Sequence, residues 1–524
     1  MKNIKYILLL FVLIGFTACT EPEDVLDDNN IDTSVEVLPE LVAGTADFTT
    51  FVSIGNSLTA GFTDNALFIA SQENSFPNIL SQKFALLGGG DFTQPLMNDN
   101  FGGLALGGTR IYQPRLVFGG KIPVPLESVI GPVTVTTDLA INNPTGPFNN
   151  MGVPGAKSFH FIAPGYGNPA NLAAELANPY FVRMTGATPN ATILEMAIAQ
   201  SPSFVSLWLG ENDILGYALG GASSGAPTPQ PTFDFAISKI MTDLGDTQGV
   251  MVNIPNITDL PNLNTVQHNE LDPSNPAFGS QISTLNALFA SLNGAYAFLG
   301  MPERSITFSE TENSPMVIHD ESLANIQGPL FDVLVGGGLD APTAGILSAQ
   351  FAQSRQATED DLFTLGSAAE IAQLNEAYFT SLVTAGVPAA KAGQLSINGV
   401  TFPLEDQYVL IPVEQDEIKT AIDGFNATIQ AAASSAGMAF VNANSIFQQM
   451  AAGGYTDGDY TVTADLVVGG AVSLDGVHPT SRGYALVVNE MMKAIDATYG
   501  SNFEASGNLV NIGDYPTNYS PSLQ

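Results

Sequence analysis

Cleavage of an ester by a serine needs four things: an exposed hydroxyl, a base to take its proton, an acid to orient that base, and donors for the oxyanion. Four separated stretches of this chain offer them. Ser57 follows the apolar, β-branched run "FTTFVSIG". On a strand-to-helix turn its hydroxyl would stand at the carboxyl edge of a sheet, where α/β sites form; the plainer use of such a serine is a helix cap. "DGVHP" sets Asp475 three residues before His478. One turn can then bring the carboxylate to the imidazole, and a surface turn with an Asp cap is the alternative. The other histidines are His160, His268 and His319, so a general base has few candidates. "WLGENDIL" places Gly210, Asn212 and Asp213 at the end of an apolar run, where the Asn amide could face an oxyanion or cap a helix. "NMGVPGAKS" puts Gly155 in a tight turn whose N–H could add a second donor.

The elements that must carry these groups alternate. "FTTFVSIG", "FVSLWLG", "GVMVNIPN" and "MAFVNA" read as buried strands. "SFPNILSQKFALLGGG", "NATILEMAIAQ", "DEIKTAIDGFNATIQAAASSAG" and "SRGYALVVNEMMKAIDATYG" read as helices with glycine or polar stops. Strands alternating with helices imply a parallel sheet covered on both faces. Residues 92–150, rich in Gly, Pro, Val and Thr, read as loops and short strands. Residues 261–410 interrupt the rhythm with apolar helical pieces, among them "STLNALFASLNGAYAFLG" and "AAEIAQLNEAYFTSLVTAG". That stretch is expected to be an insertion, either a lid or a partner surface. As a lid, side chains from 280 to 380 would approach Ser57 and wall the site.

Ser57, Gly155, Asn212 and His478 occur in the order of the four sequence blocks of the SGNH hydrolases, the GDSL-type lipases and esterases. "IGNSLTAG" resembles the first block, "GVPGA" the second, "GEND" the third and "DGVHP" the last. The resemblance covers roughly residues 48–260 and 412–498. It implies an α/β/α three-layer sandwich with a central parallel sheet, Ser57 as nucleophile, His478 as base and Asp475 as its orienting acid. It also implies an oxyanion hole from the Ser57 and Gly155 N–H groups and the Asn212 side chain, with no metal and no cofactor. Asn56 stands where the family name has Asp, which could alter the electrostatics beside Ser57. The expected organisation is a core over 47–260 and 411–500, the insertion at 261–410 and a C-terminal tail at 501–524.

The N-terminus carries other information. Lys2 and Lys5 precede "YILLLFVLIGF" and then "TAC", the pattern of a secretory signal over residues 1–18. "FTAC" resembles the lipobox of bacterial lipoproteins, which implies lipidation at Cys19, the only cysteine. The following segment, 19–46, is acidic and reads as a disordered tether. An outer-membrane lipoprotein, open to exposure at the cell surface, is therefore expected. With 15 Lys+Arg against 51 Asp+Glu the formal charge is −36, which excludes nucleic acid as a partner of ordinary type. The substrate would be an acyl ester of a lipid or an acylated glycan. The rival reading is a surface lipoprotein that keeps the fold but serves as a subunit or binding module, with an outer-membrane protein as partner; fold alone does not decide this. Three other motifs are set aside. "GASSG" (221–225) matches G-x-S-x-G but lies in a proline-rich loop without the strand and helix that motif requires. "TDGDYT" (456–461) reads as a turn, not a calcium loop. One cysteine and four scattered histidines show no zinc spacing.

Overall fold

The computed structural model describes residues 38–120 and 122–524. Cys19, the signal and most of the tether lie outside them. Five strands form one wholly parallel sheet: β1 (Phe51–Gly55), β2 (Asn150–Gly152), β3 (Phe204–Trp208), β4 (Gln248–Val252) and β5 (Ala439–Val441), in the order β5-β4-β3-β1-β2. The helices that matter for the site are α1 (Ser57–Ala60), α2 (Phe76–Ala85), α3 (Ile193–Ile198), α4 (Asn212–Leu219), α5 (Gln230–Leu244), α6 (Pro412–Ala436), α7 (Ala443–Ala452) and α8 (Ser481–Tyr499).

Alternation along the strands explains the layering. Val52, Ile54, Val205, Leu207 and Met251 point to one face and pack against α3, α5 and α6. Phe51, Phe204, Trp208, Val250 and Val252 point to the other and pack against α2, α7 and α8. A period of two sends neighbouring side chains to opposite faces, so a strand buried on both faces must be apolar throughout. The helices meet this demand through their own period. In α6, Ile418, Ile422, Phe425, Ile429 and Ala433 form the buried stripe, with the spacing of one helix face. Pro412 starts that helix and Gly437, in the left-handed conformation, ends it. Helix α8 is capped by Thr480, whose Oγ1 accepts the Gly483 N–H at 3.0 Å.

The end of the tether departs from expectation. The tether reading ran to residue 46, yet the Val42 N–H donates to Asn502 Oδ1 at 2.7 Å, the Thr45 N–H donates to the Tyr499 carbonyl at 2.8 Å, and Ala46 is buried. Residues 501–524, the C-terminal tail, pack against the body of the chain. Phe503, Ile512 and Tyr519 are buried. The fully buried Arg115 stacks over Phe68 and donates to the carbonyls of Tyr519, Ser520 and Leu523. A guanidinium buried with its donors met by carbonyls fixes their geometry.

Residues 266–411 bury a separate apolar cluster, in which Phe289, Leu292 and Tyr296 meet Leu330, Phe351 and Leu404. The helical stretch expected around 368–386 is divided: a 3-10 turn spans Leu365–Ala369, and an α-helix begins at Glu376, capped by Asn375. No helix among the described residues is long and apolar enough to cross a membrane.

Candidate active site

The register of the sheet brings three of the four stretches to one edge. Gly55 pairs with Gly152 on one side and with Trp208 on the other. Ser57, Gly155 and Asn212 therefore lie just beyond the carboxyl ends of three adjacent strands. Ser57 is the first residue of α1, and Asn56 caps that helix: its Oδ1 accepts the Leu58 N–H at 3.0 Å. The capping role considered for Ser57 is thus taken by its neighbour, which leaves the Ser57 hydroxyl free for another partner.

That partner is His478. Its Nε2 lies 2.9 Å from Ser57 Oγ, and its Nδ1 lies 2.8 Å from Asp475 Oδ2. Asp475 is held by the Val477 and His478 N–H groups on Oδ1, both at 2.8 Å, and by the Asn65 N–H on Oδ2 at 2.9 Å. Burial raises the Asp475 pKa, but the His478 ring and these donors outweigh it and hold the group at about 2. It stays ionised, as an acid that orients an imidazole must. Gly476 makes the turn possible. It sits at φ +73°, and a Cβ there would fall 2.8 Å from the Asn262 nitrogen, a position closed to any other residue.

The remaining histidines stay away from this chain of bonds. His160 stacks on Tyr166 and accepts the Lys157 N–H on Nδ1; burial lowers its pKa to about 4. His268 and His319 belong to the 266–410 region. "GASSG" follows helix α4, not a strand, and Ser223 Oγ donates to the Gly220 carbonyl. "TDGDYT" is the turn of a small hairpin, Tyr455–Asp457 with Tyr460–Val462.

The loop carrying Gly155 is tied to α4. Asn212 Nδ2 donates to the Ala156 carbonyl at 3.1 Å, and Asp213 accepts both the N–H and the Oγ–H of Ser158 at 2.7 Å. Burial raises the Asp213 pKa against those two bonds. Gly155 is exposed, at φ +80°. Among the described residues, neither its N–H nor that of Ser57 donates to a protein acceptor. Two backbone donors and the second hydrogen of the Asn212 amide remain for a developing negative charge.

Several groups here have no signature of their own in the sequence. Asn56 Nδ2 donates to Glu211 Oε2 at 2.5 Å beneath the turn that carries Ser57. Asparagine suits position 56 for a physical reason: an aspartate there would oppose a buried carboxylate. Glu211 Oε1 and the adjacent Trp208 Nε1 lack a well-formed partner among the described residues. Burial pushes Glu211 up to about 7. Asp64 is also buried, accepts the Leu474 N–H at 3.1 Å, and is pushed up to about 7, first by burial and then by Asp475. Its own N–H donates to Ser473 Oγ, which donates in turn to Asp475 Oδ1. Only the "GEND" stretch could have drawn attention to Glu211; nothing local marks Asp64.

Ser57 and His478 open onto an apolar cavity of about 90 Å³, lined among others by Ile257, Leu260, Ile446, Phe447, Val477 and Val487. Its walls come from α1, the end of β3 with α4, the β4 loop, the end of β5, α7, the loop before α8, and α8 itself. None comes from residues 280–380, so the expected lid does not wall this cavity. The reason is that the apolar side chains of that region are spent on their own cluster. The longer 261–410 stretch touches the site at its root, where Asn262 donates through Nδ2 to the Asp475 carbonyl at 2.9 Å and through its N–H to the Gly476 carbonyl at 3.0 Å.

Comparison of the chain with protein-family models, with curated proteins and with solved structures finds no match.

Proposed function

We propose that the protein is a serine esterase of the SGNH type that hydrolyses acyl esters through an acyl-serine intermediate. One observation carries the reading: the unbroken Ser57–His478–Asp475 chain at 2.9 and 2.8 Å, set at the mouth of an apolar cavity. The block order noted in the sequence supports it, with the sheet as the core of a three-layer sandwich and 261–410 as an insertion. In the first step His478 Nε2 takes the Ser57 proton as Oγ attacks the carbonyl carbon. The oxyanion lies toward the Ser57 and Gly155 N–H groups and the Asn212 amide. Collapse expels the alkoxide, which receives the proton from His478. Water, deprotonated by the same imidazole, then releases the acid. Asp475 stays ionised throughout and stabilises the imidazolium. The apolar lining of the cavity suits the acyl chain of an ester. The resemblance of "FTAC" to a lipobox supports anchoring of this enzyme to the outer membrane through Cys19. The test is labelling of the full-length, detergent-solubilised protein with a fluorophosphonate. The wild type should label on Ser57, and Ser57→Ala and His478→Ala should not. Folded wild type that neither labels nor cleaves p-nitrophenyl acetate or butyrate would overturn the reading.

A further inference from the structure

Ser57 and Asn212 stand beyond the ends of two different strands, and the spacing between them has to be held. Helix α1, which Ser57 opens, is four residues long. A single turn has little stability of its own, so its placement depends on what grips it. Close packing presses it to the sheet. A Cβ on Gly55 would fall 2.2 Å from the Trp208 carbonyl oxygen, and one on Gly152 would fall 2.2 Å from the Ala60 nitrogen. Such contacts set how near α1 lies to the strands. Its direction needs hydrogen bonds, which are oriented as packing is not.

Asn56 supplies them. Its Oδ1 accepts the Leu58 N–H at 3.0 Å, and its Nδ2 donates to Glu211 Oε2 at 2.5 Å. Both residues are buried. Glu211 directly precedes Asn212, and its carbonyl accepts the Leu215 N–H at 2.8 Å at the start of α4. One hydrogen bond thus runs from the residue before Ser57 to the residue before Asn212. Among the described residues no other hydrogen bond joins 56–61 to 209–213. The second Glu211 oxygen, Oε1, is buried without a well-formed partner, so the Asn56 bond is what orients this carboxylate. Asn212 and Asp213, by contrast, tie α4 to the Gly155 loop.

We propose that Asn56 and Glu211 form a positioning pair whose hydrogen bond fixes Ser57 Oγ relative to the Asn212 amide. The inference rests on the esterase reading and adds to it two residues that act through their neighbours. The pair is complementary in polarity. Residue 56 must accept at Leu58 and donate at Glu211, which an amide does and a carboxylate does not. Asn56→Asp keeps the cap but sets two carboxylates against each other. Adding Glu211→Gln restores a donor facing that carboxylate. Glu211→Met keeps the length of the side chain and removes the acceptor, which leaves the buried Asn56 amide unpaired. In either single variant the Ser57 turn loses its tie to α4, and a shift of about 1 Å costs turnover far more than binding.

The experiment measures kcat and KM for p-nitrophenyl butyrate at pH 8 on the full-length, detergent-solubilised protein, with fluorophosphonate labelling of Ser57 alongside and urea unfolding as the check on folding. Glu211→Gln keeps an acceptor for Asn56 and should stay within about threefold of wild-type kcat. Asn56→Asp and Glu211→Met should each lower kcat by on the order of tenfold to a hundredfold, with KM within about twofold. Combining Asn56→Asp with Glu211→Gln should recover most of that loss. Glu211→Met buries no charge, so it decides the matter even where Asn56→Asp does not fold. Wild-type kcat in folded Glu211→Met would overturn the inference. So would a double variant no better than Asn56→Asp, or a loss confined to KM, which would make Glu211 a wall of the cavity and nothing more. Wild type that neither labels nor turns over would strike the esterase reading itself. Active wild type matched by its variants would strike this inference alone.

Discussion

Glu211→Gln isolates the charge buried beneath the nucleophile turn. Burial is the largest influence on this carboxyl and outweighs its hydrogen bond from Asn56, raising the pKa from its ordinary 4.5 to about 7. A group raised by folding contributes fully below its unfolded value, and that contribution is lost as the pH climbs through the folded value. The window for Glu211 therefore runs from 4.5 to about 7. At about 1.4 kcal/mol per pH unit, the loss across it is about 3 kcal/mol. The side chain is fully buried, so solvent screening does not reduce the figure much. Glutamine has no charge to bury. The stability of Glu211→Gln minus that of wild type should therefore grow by about 3 kcal/mol from pH 4.5 to pH 8, in favour of the variant. The altered donor beside Trp208 adds an offset of about 1–2 kcal/mol that does not change with pH. Asp64 titrates over a similar window, but it is present in both proteins and cancels in the difference. Urea unfolding at pH 4.5, 6 and 8 measures this, followed by fluorescence of Trp208, the only tryptophan. A stability difference that stays constant between pH 4.5 and pH 8 would refute the burial argument.

Two more outcomes follow from the site. Asn212→Ala should lower kcat by on the order of 10²–10³ with little change in KM; an unchanged kcat in folded protein would return Asn212 to its bond with the Ala156 carbonyl alone. Ala443→Phe fills the cavity from the start of α7, so kcat/KM for butyrate should fall by about tenfold or more relative to acetate, since each methylene in an apolar pocket is worth about 1–3 kcal/mol. An unaltered ratio would place the acyl group elsewhere.

Local order along the chain decided a good deal. The alternation of apolar strands and periodic helices is a property of near neighbours, and the parallel sheet with helices on both faces follows from it. Asp475 and His478 are three residues apart, so one turn suffices to join them. The strand-to-helix turn at Ser57 was legible for the same reason. The meeting of that pair with Ser57, more than 400 residues away in sequence, depends instead on the adjacency of α1 to the loop before α8. Asn56 and Glu211 meet because β1 and β3 are paired. The cavity walls draw on α7 and α8, while residues 280–380 turn inward on a core of their own, and the last 24 residues wrap back onto Arg115. Turns and periods are set by steric rules between neighbours in sequence. Which distant groups share a site is set by how apolar faces are paired off in the core, and that is decided for the whole molecule at once.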